Sequence, residues 1–281
     1  MKYLLESLLE GSNLTREEAG DGVEQIISGA DPCQAAAFLA LLKAKGETPQ
    51  EVAGMVTTMR RHMVRVEPGC PTIDIVGTGG DGHHTVNVST AASIVMAACG
   101  AKVAKHGNRS VSSQCGSADV LEELGVTLNL PAAAIERCVQ KAGISFMFAP
   151  AFHPAMKNIV PVRKALGVRT IFNILGPLLN PAECSRQLIG VYSVPMVKLM
   201  ADVLYELGVD HSLVVHCGGE RFHARRRYVV GCDGRSGLIW VSIWFSAGIL
   251  NGPGGHSLAC HHFLAQVWMS WRRLPLLTWR G

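Results

Sequence analysis

Apolar side chains recur at helical spacing through the first 65 residues, between segments that carry helix-capping residues. Four leucines between residues 4 and 9 share one predicted helix face. Side chains that cap helix N-termini precede the next three apolar segments. They are Thr15 with Glu18, Asp31 with Pro32, and Thr48 with Pro49 and Glu51. The pattern predicts a small helical domain over residues 1–66.

After the break at Pro68–Pro71 the pattern changes to short β-type segments that alternate with helical ones. The predicted strands are TIDIV (72–76), AKVAKHG (101–107), VTLNL (126–130), ISFMF (144–148), SRQLIGVY (185–192) and HSLVVHC (211–217). Strands and helices that alternate at these lengths are typical of a parallel sheet with crossover helices. We therefore expect an α/β fold in which 72–217 form a larger domain with a mainly parallel central sheet. Residues 154–180 are mostly helical and are predicted to pack back onto the N-terminal helices.

Composition excludes a membrane protein and favours a cytoplasmic one. The chain is 48% apolar, which is enough for a real core. Its longest apolar segment, residues 237–250, falls short of the about 20 residues that a membrane helix needs. Acidic residues interrupt the N-terminal leucines, so we expect no export signal. Nine cysteines without any C-x-x-C spacing fit reduced thiols better than disulfides or a zinc site.

Two polar loops follow predicted neighbouring strands. The first, in DIVGTGGDGHH (74–84), satisfies the G-x-G-x-x-G dinucleotide pattern, but Asp81 lies where a pyrophosphate would meet backbone N–H groups. The second, KHGNRSVSS (105–113), is basic and rich in hydroxyl groups. Glycines that admit phosphate oxygens, two cations and several hydroxyls suit a highly phosphorylated ligand better than a dinucleotide.

Four motifs in register resemble the anthranilate phosphoribosyltransferase family of tryptophan biosynthesis. They are GTGGDG (77–82), NVST (87–90), KHGNRSVSS (105–113) and GSADVLEELG (116–125). The similarity runs from the N-terminal helices to VVH (214–216). The nucleoside phosphorylases share this architecture and would show a different second loop. We also keep open a non-catalytic, unstable phosphate-binding remnant.

The resemblance implies a helical domain joined to an α/β domain of the nucleoside phosphorylase/phosphoribosyltransferase type, and a homodimer through the helices. It implies that the amine of anthranilate attacks C1 of phosphoribosyl pyrophosphate (PRPP), and that pyrophosphate leaves with Mg²⁺. Residues matching PRPP-binding positions are Gly77, Gly80, Asp81, Thr85, Asn87, Val88, Ser89, Thr90, Lys105, His106, Gly107, Asn108, Arg109, Ser110, Val111, Ser112, Ser113 and Ser117. Residues matching anthranilate-binding positions are Gly77, His106, Asn108 and Arg163. Ser89 matches a magnesium ligand, and no residue matches a general base.

The resemblance ends at residue 217. In the family an adjacent Asp-Glu pair that binds magnesium follows the strand ending VVH, whereas Phe222 and His223 occupy those positions here and Glu220 is the nearby acid. Residues 218–281 contain all five tryptophans and no lysine. We expect an aberrant tail of the kind that a frameshift near codons 217–220 would produce, which leaves the fold C-terminally incomplete and its sheet with an unpaired edge. A basic extension that binds nucleic acid is the less favoured alternative.

Overall fold

The computed structural model describes residues 1–79, 87–110 and 115–217, together with the backbone of two later strands, 227–233 and 237–242. The N-terminal part is a bundle of helices. These are α1 (Lys2–Leu9), α2 (Arg16–Ile27), α3 (Pro32–Lys45) and α4 (Pro49–Arg61).

The predicted caps begin three of these helices. The Thr15 and Thr48 side chains accept from the backbone N–H groups of Glu18 and Glu51, and both capping boxes are complete. Glu51 is fully buried, and its carboxylate also accepts from Lys45 Nζ at 3.0 Å and from the backbone N–H of Leu14 at 2.8 Å. The capping residues therefore tie the bundle together as well as starting its helices.

Among the described residues, a sheet of seven strands forms the second part, in the order β3-β2-β1-β4-β5-β6-β7. The strands are β1 (Ile73–Gly77), β2 (Val103–Gly107), β3 (Ile144–Phe148), β4 (Arg186–Gly190), β5 (His211–Cys217), β6 (Arg227–Asp233) and β7 (Gly237–Ser242). The first five are parallel to one another, whereas β6 pairs antiparallel with both β5 and β7. The prediction of an α/β fold with a mainly parallel sheet is confirmed.

Helices and short turns connect the strands. The helices are α5 (Val88–Ala98), α6 (Ser117–Glu123), α7 (Ala132–Ala142), α8 (Ala149–Phe152), α9 (Met156–Leu166) and α10 (Val194–Glu206), and the 3-10 turns are Ile171–Asn173 and Gly176–Leu178. The predicted strand at 126–130 is wrong, because these residues are irregular. Leu128 is instead buried against Leu121 and Phe146. Packing of that side chain overrides the β-propensity of the segment.

One hydrophobic cluster runs from the helical bundle into the sheet. It contains Leu4 and Phe38 of the bundle, Ile159 of α9, Met200 of α10 and Val214 of β5. Between α2 and α9, the amide of Asn158 donates to the backbone oxygen of Ile27 at 2.7 Å. The division of the chain into domains at residues 66 and 72, with 154–180 assigned to the helices, stays a prediction.

The outer edge of β5 differs from expectation. We expected it to be unpaired, but β6 pairs with it in antiparallel register from His211↔Asp233 to Cys217↔Arg227. Residues 227–233 and 237–242 of the predicted aberrant tail are therefore strands. In the described part of the chain, β7 rather than β5 is the last strand on this side of the sheet.

Candidate active site

The two polar loops leave the carboxyl ends of β1 and β2, which are neighbours in the sheet. The strand order reverses at β1, since β2 lies on one side of it and β4 on the other. In open α/β sheets, ligands bind at the carboxyl ends of the strands where the order reverses. The topology thus places the carboxyl ends of β1 and β2 at the usual ligand crevice.

A row of polar side chains connects the start of α5, the end of β2 and the start of α6. Asn87 caps α5 by accepting from the backbone N–H of Thr90 at 3.0 Å, and its amide donates to Ser117 Oγ of α6 at 3.4 Å. Ser89 Oγ donates to Asn87 Oδ1 at 3.1 Å and accepts from Lys105 Nζ at 3.3 Å. The row combines a cation, two hydroxyls and the start of α5, where free N–H groups favour anions.

Lys105 is buried beneath this row. Only 2% of the residue is exposed, and its Nζ donates to the backbone oxygen of Ile75 in β1 at 2.5 Å. Burial lowers the pKa of Lys105 to about 8, and the nearby Asp74 acts in the opposite direction. Burial likewise raises the pKa of Asp74 to about 6, against the effect of Lys105. At neutral pH the two groups carry opposite charges, so Lys105 is held as a cation inside the protein.

Arg109 fastens the second loop to α6. Its guanidinium donates to both Glu122 carboxylate oxygens, at 2.6 and 2.9 Å, and to Asp119 at 3.2 Å. The other Asp119 oxygen accepts from the backbone N–H groups of Ser110 at 3.0 Å and Gly116 at 2.8 Å. Hydrogen bonds to Glu122 and Asp119 raise the pKa of Arg109 above its ordinary value. Its charge, which we expected to offset a ligand, is already matched by two carboxylates.

His106 follows Lys105 and faces a second buried histidine, His153, which follows α8. Their rings meet edge to face with centroids 5.0 Å apart. Burial, followed by the repulsion of His153, lowers the pKa of His106 to about 3. Burial lowers the pKa of His153 to about 4. Both rings are neutral at pH 7, and the ring of His106 is held by His153 on one side.

The other residues predicted to bind anthranilate lie on separate elements of the fold. Arg163 is half-buried on α9, with its guanidinium 5.8 Å from the ring centre of Phe172, and burial lowers its pKa. Asn108 lies in the second loop, where its side chain accepts from the backbone N–H of Arg109 at 2.7 Å. Gly77 ends β1, opposite Gly190 of β4.

The remaining predicted PRPP-binding residues divide into described and undescribed ones. Val88 is exposed and Thr90 is buried in the first turn of α5, while Gly107 lies so close to Ser117 that a Cβ would be 3.2 Å from its Cβ. Predicted positions outside the described residues are Gly80, Asp81, Thr85, Val111, Ser112, Ser113, Glu220, Phe222 and His223.

For a magnesium ion, the described residues offer the hydroxyl of Ser89. They contain no group of three His, Cys, Asp or Glu side chains that could hold a metal. Mg²⁺ usually keeps several waters and binds through one or two protein groups plus substrate phosphates. The donors fit an ion that a phosphorylated substrate brings with it, and they do not form a closed cage.

Sequence reasoning missed a group of residues below the loops. Asn180 donates from Nδ2 to Asp74 Oδ2 at 2.7 Å and to the backbone oxygen of Ala104 at 2.9 Å. The turn just before it is held by Arg60 of α4, whose Nε and Nη2 donate to the backbone oxygen of Leu178 at 3.1 and 2.9 Å. The available signal was Asp74 itself, because an acid inside an apolar strand of a parallel sheet is unusual.

Comparison with known proteins gives two family matches. Residues 2–63 match the helical bundle domain of a glycosyl transferase family, and residues 69–230 match its a/b domain. The second match extends beyond residue 217, where we expected the resemblance to end.

Curated relatives carry the name anthranilate phosphoribosyltransferase. The protein of Methanosarcina acetivorans is 51% identical over 221 residues, which are 78% of this chain and 60% of that protein. The protein of Roseiflexus castenholzii is 52% identical over 213 residues, which are 75% of this chain and 63% of that protein. The chain therefore spans less than two thirds of the length of these relatives.

Solved structures agree with the sequence relatives. The anthranilate phosphoribosyltransferase of Thermus thermophilus superimposes with a TM-score of 0.77 at 41% identity, covering 85% of this chain and 72% of that one. The enzyme of Saccharomyces cerevisiae in complex with PRPP and Mg has a TM-score of 0.73 at 26% identity, covering 81% and 69%. The family resemblance inferred from the four motifs is confirmed.

Proposed function

The chain belongs to the glycosyl transferase family that combines a helical bundle with an a/b domain, and we propose that it transfers the phosphoribosyl group of PRPP to anthranilate. The row from Lys105 through Ser89 and Asn87 to Ser117 carries this proposal. It connects the start of α5, the end of β2 and the start of α6 beside the crevice where the strand order reverses.

The reaction exchanges one bond at C1 of the sugar. The lone pair of the anthranilate amine forms the N–C1 bond, and the C1–O bond breaks with its electron pair leaving on pyrophosphate. The nitrogen then loses a proton to solvent or to the departing pyrophosphate. An aromatic amine is already a neutral nucleophile, so positioning and charge stabilisation are the main tasks of the protein.

The described residues divide these tasks between them. Lys105 provides a buried cation toward the diphosphate, and Ser89, Asn87 and Ser117 provide hydrogen bonds. The neutral ring of His106, with Asn108 two residues later, would orient the amine, and Arg163 would meet the carboxylate of anthranilate. Ser89 would hold Mg²⁺, which on binding neutralises charge on the leaving diphosphate.

The proposal is tested by following the loss of anthranilate fluorescence with PRPP and MgCl₂. We expect turnover by the unaltered chain and a loss of at least about 100-fold in kcat/KM for Lys105→Met, since it removes a buried charge that meets the leaving group. Lys102→Met is the matched control, because Lys102 lies at the base of β2, away from the loops, and donates to the backbone oxygen of Gln140.

Two outcomes would contradict the proposal. PRPP binding by calorimetry without any turnover would indicate a phosphate-binding protein that has lost the reaction. Equal activity of the Lys105 and Lys102 variants would show that the buried charge of Lys105 does not contribute to catalysis.

We also infer a homodimer through the helical bundle. Tyr3 and Leu9 of α1 are 65% and 70% exposed, which leaves apolar surface on the first helix. Light scattering of Leu9→Glu should give a smaller mass than the unaltered chain, whereas Leu124→Glu, just after α6, should not. An unchanged mass for Leu9→Glu would exclude this face.

The cytoplasm is the proposed location. The described cysteines are free thiols, as expected for a reducing compartment. None of the described helices is long and apolar enough to cross a membrane. Fractionation of cells that express the tagged chain would test the location.

A further inference from the structure

The ladder between β1 and β2 is unusually short. These strands pair at one position, Ile73↔Val103, whereas β1 pairs with β4, and β2 with β3, at five positions each. The two strands that carry the polar loops therefore separate just before Asp74 and Ala104. Backbone groups in such a gap need other partners.

The side chains of Asp74 and Asn180 supply these partners. Asn180 uses Nδ2 to reach Asp74 of β1 and Ala104 of β2, at 2.7 and 2.9 Å. Its Oδ1 accepts from the backbone N–H of Ala182 at 2.8 Å, so the whole carboxamide is engaged. Asp74 Oδ1 accepts from the backbone N–H of His106 at 3.4 Å.

These contacts hold the backbone on both sides of Lys105. The carbonyl of Ala104 comes immediately before Lys105, and the N–H of His106 comes immediately after it. Both Asn180 and Asp74 are buried, with 1% and 0% of the residue exposed. Because the backbone is fixed on either side, Lys105 can move only by changing its side-chain rotamer. That rotamer is held by the hydrogen bond from Nζ to the backbone oxygen of Ile75 across the gap.

We propose that Asn180, acting through Asp74 and Ala104, is a positioning residue for Lys105 that bridges the gap between β1 and β2. This inference rests on the proposed function, because Lys105 is the group that meets the diphosphate. Loss of the carboxamide leaves Ala104 O without this partner and Asp74 with an unmatched oxygen. The strands then move relative to each other, and Lys105 no longer stays in place.

The first test measures the position of Lys105 without substrate. Acetylation of lysine amines by acetic anhydride, quantified by mass spectrometry, reports how often each Nζ reaches solvent. We expect Asn180→Ala to raise the rate at Lys105 by about tenfold, through local opening, with Lys2 and Lys43 of the helical bundle unchanged as internal references. Gln140→Ala is the matched control, since it also removes a carboxamide that donates to a backbone oxygen, that of Pro68, at 3.0 Å. Equal rates at Lys105 in the two variants would overturn the proposal.

A second pair of variants separates positioning from folding. Asn180→Asp places two carboxylates in contact and should expose Lys105 most. Adding Asp74→Asn restores a donor and an acceptor between the two side chains and should recover part of the protection. This pair also decides the question if Asn180→Ala fails to fold. Equal protection of Lys105 in Asn180→Asp and the unaltered chain would contradict the proposal.

Kinetics provide the third readout. For Asn180→Ala we expect kcat/KM for PRPP to fall about tenfold while KM for anthranilate changes less than about twofold, because Lys105 meets the diphosphate. An equal fall in kcat/KM for both substrates would indicate a general structural effect and would contradict the role of Asn180 as a positioning residue. Absence of turnover in the unaltered chain would count against the proposed function alone, since the acetylation result needs no substrate.

Discussion

The Nε2 atoms of His106 and His153 lie 3.2 Å apart inside the protein, so one ring donates a hydrogen bond to the other. Their pKa values of about 3 and about 4 are below the ordinary 6.5, because burial disfavours the charged rings. The folded state therefore takes up these protons at lower pH than the unfolded chain does. The stability that they contribute is present above pH 6.5 and is lost as the pH falls toward 4.

His153→Asn isolates this effect. Asp74 acts in the opposite direction, because its raised pKa of about 6 stabilises the fold as the pH falls. We therefore compare variant and unaltered chain at each pH. The free energy of unfolding of the unaltered chain, relative to the variant, should decrease by about 1.4 kcal/mol per pH unit between about pH 6 and 4. Urea denaturation at several pH values measures it, and a constant difference would show that the ring is not buried neutral.

Arg109 and Glu122 should act as one unit. If Arg109 serves mainly to fasten the second loop to α6, Arg109→Gln and Glu122→Gln should each raise KM for PRPP about fivefold, by misplacing the loop. The double variant should be no worse than either single one. Steady-state kinetics of all four proteins complete the cycle. A much larger effect of Arg109→Gln than of Glu122→Gln would show that Arg109 does not act through Glu122 alone and would contradict the single unit.

Gly116 allows the second loop to approach α6 closely. A Cβ at this position would lie 2.3 Å from the backbone nitrogen of Ser110 and 2.6 Å from the carbonyl carbon of Arg109. Gly116→Ala must therefore displace the loop, and we expect PRPP affinity by calorimetry to fall at least about tenfold. Gly29→Ala is the control, since it strains a backbone with φ of +92° far from the loops. Unchanged affinity in Gly116→Ala would place the ligand away from this loop.

In the helical bundle, two facing glycines should differ sharply in their tolerance of alanine. A Cβ at Gly54 of α4 would lie 1.9 Å from the backbone oxygen of Arg16, whereas a Cβ at Gly20 of α2 would lie 2.8 Å from the hydroxyl of Thr58 and 3.2 Å from the backbone oxygen of Gly54. The overlap with helix backbone is therefore much larger at Gly54. Gly54→Ala should lower the free energy of unfolding by about 3 kcal/mol or more, and Gly20→Ala by about half as much. Thermal and urea unfolding would measure both changes. A larger loss of stability for Gly20→Ala than for Gly54→Ala would contradict this description of the contact between α2 and α4.

Local sequence signals predicted most of the fold. Thr15 with Glu18 and Thr48 with Glu51 marked helix starts because capping depends on residues three positions apart. The strand predicted at 126–130 was wrong because the position of Leu128 depends on its contact with Phe146, which is distant in sequence. The pairing of β5 with β6 was missed for a similar reason, since composition alone does not define which backbone pairs with an edge.

Sequence reasoning singled out the motif residues of the candidate site and missed the residues that hold them from below. Lys105, Ser89 and Asn87 stood out because their motifs are contiguous in sequence. Asn180 lies 106 residues from Asp74 and is joined to it only by the fold. Burial also lowers the pKa values of His106 and Arg163, and residue type alone does not predict such a shift.

Arg60 gives the helical bundle a direct mechanical link to the candidate site. Its two hydrogen bonds to Leu178 connect α4 with the short turn that leads into Asn180. The turn that leads into Asn180 is therefore held from two sides, by the guanidinium of Arg60 and by the hydrophobic cluster that it shares with the bundle. The backbone beside Lys105 thus depends on the position of a helix in the other part of the chain.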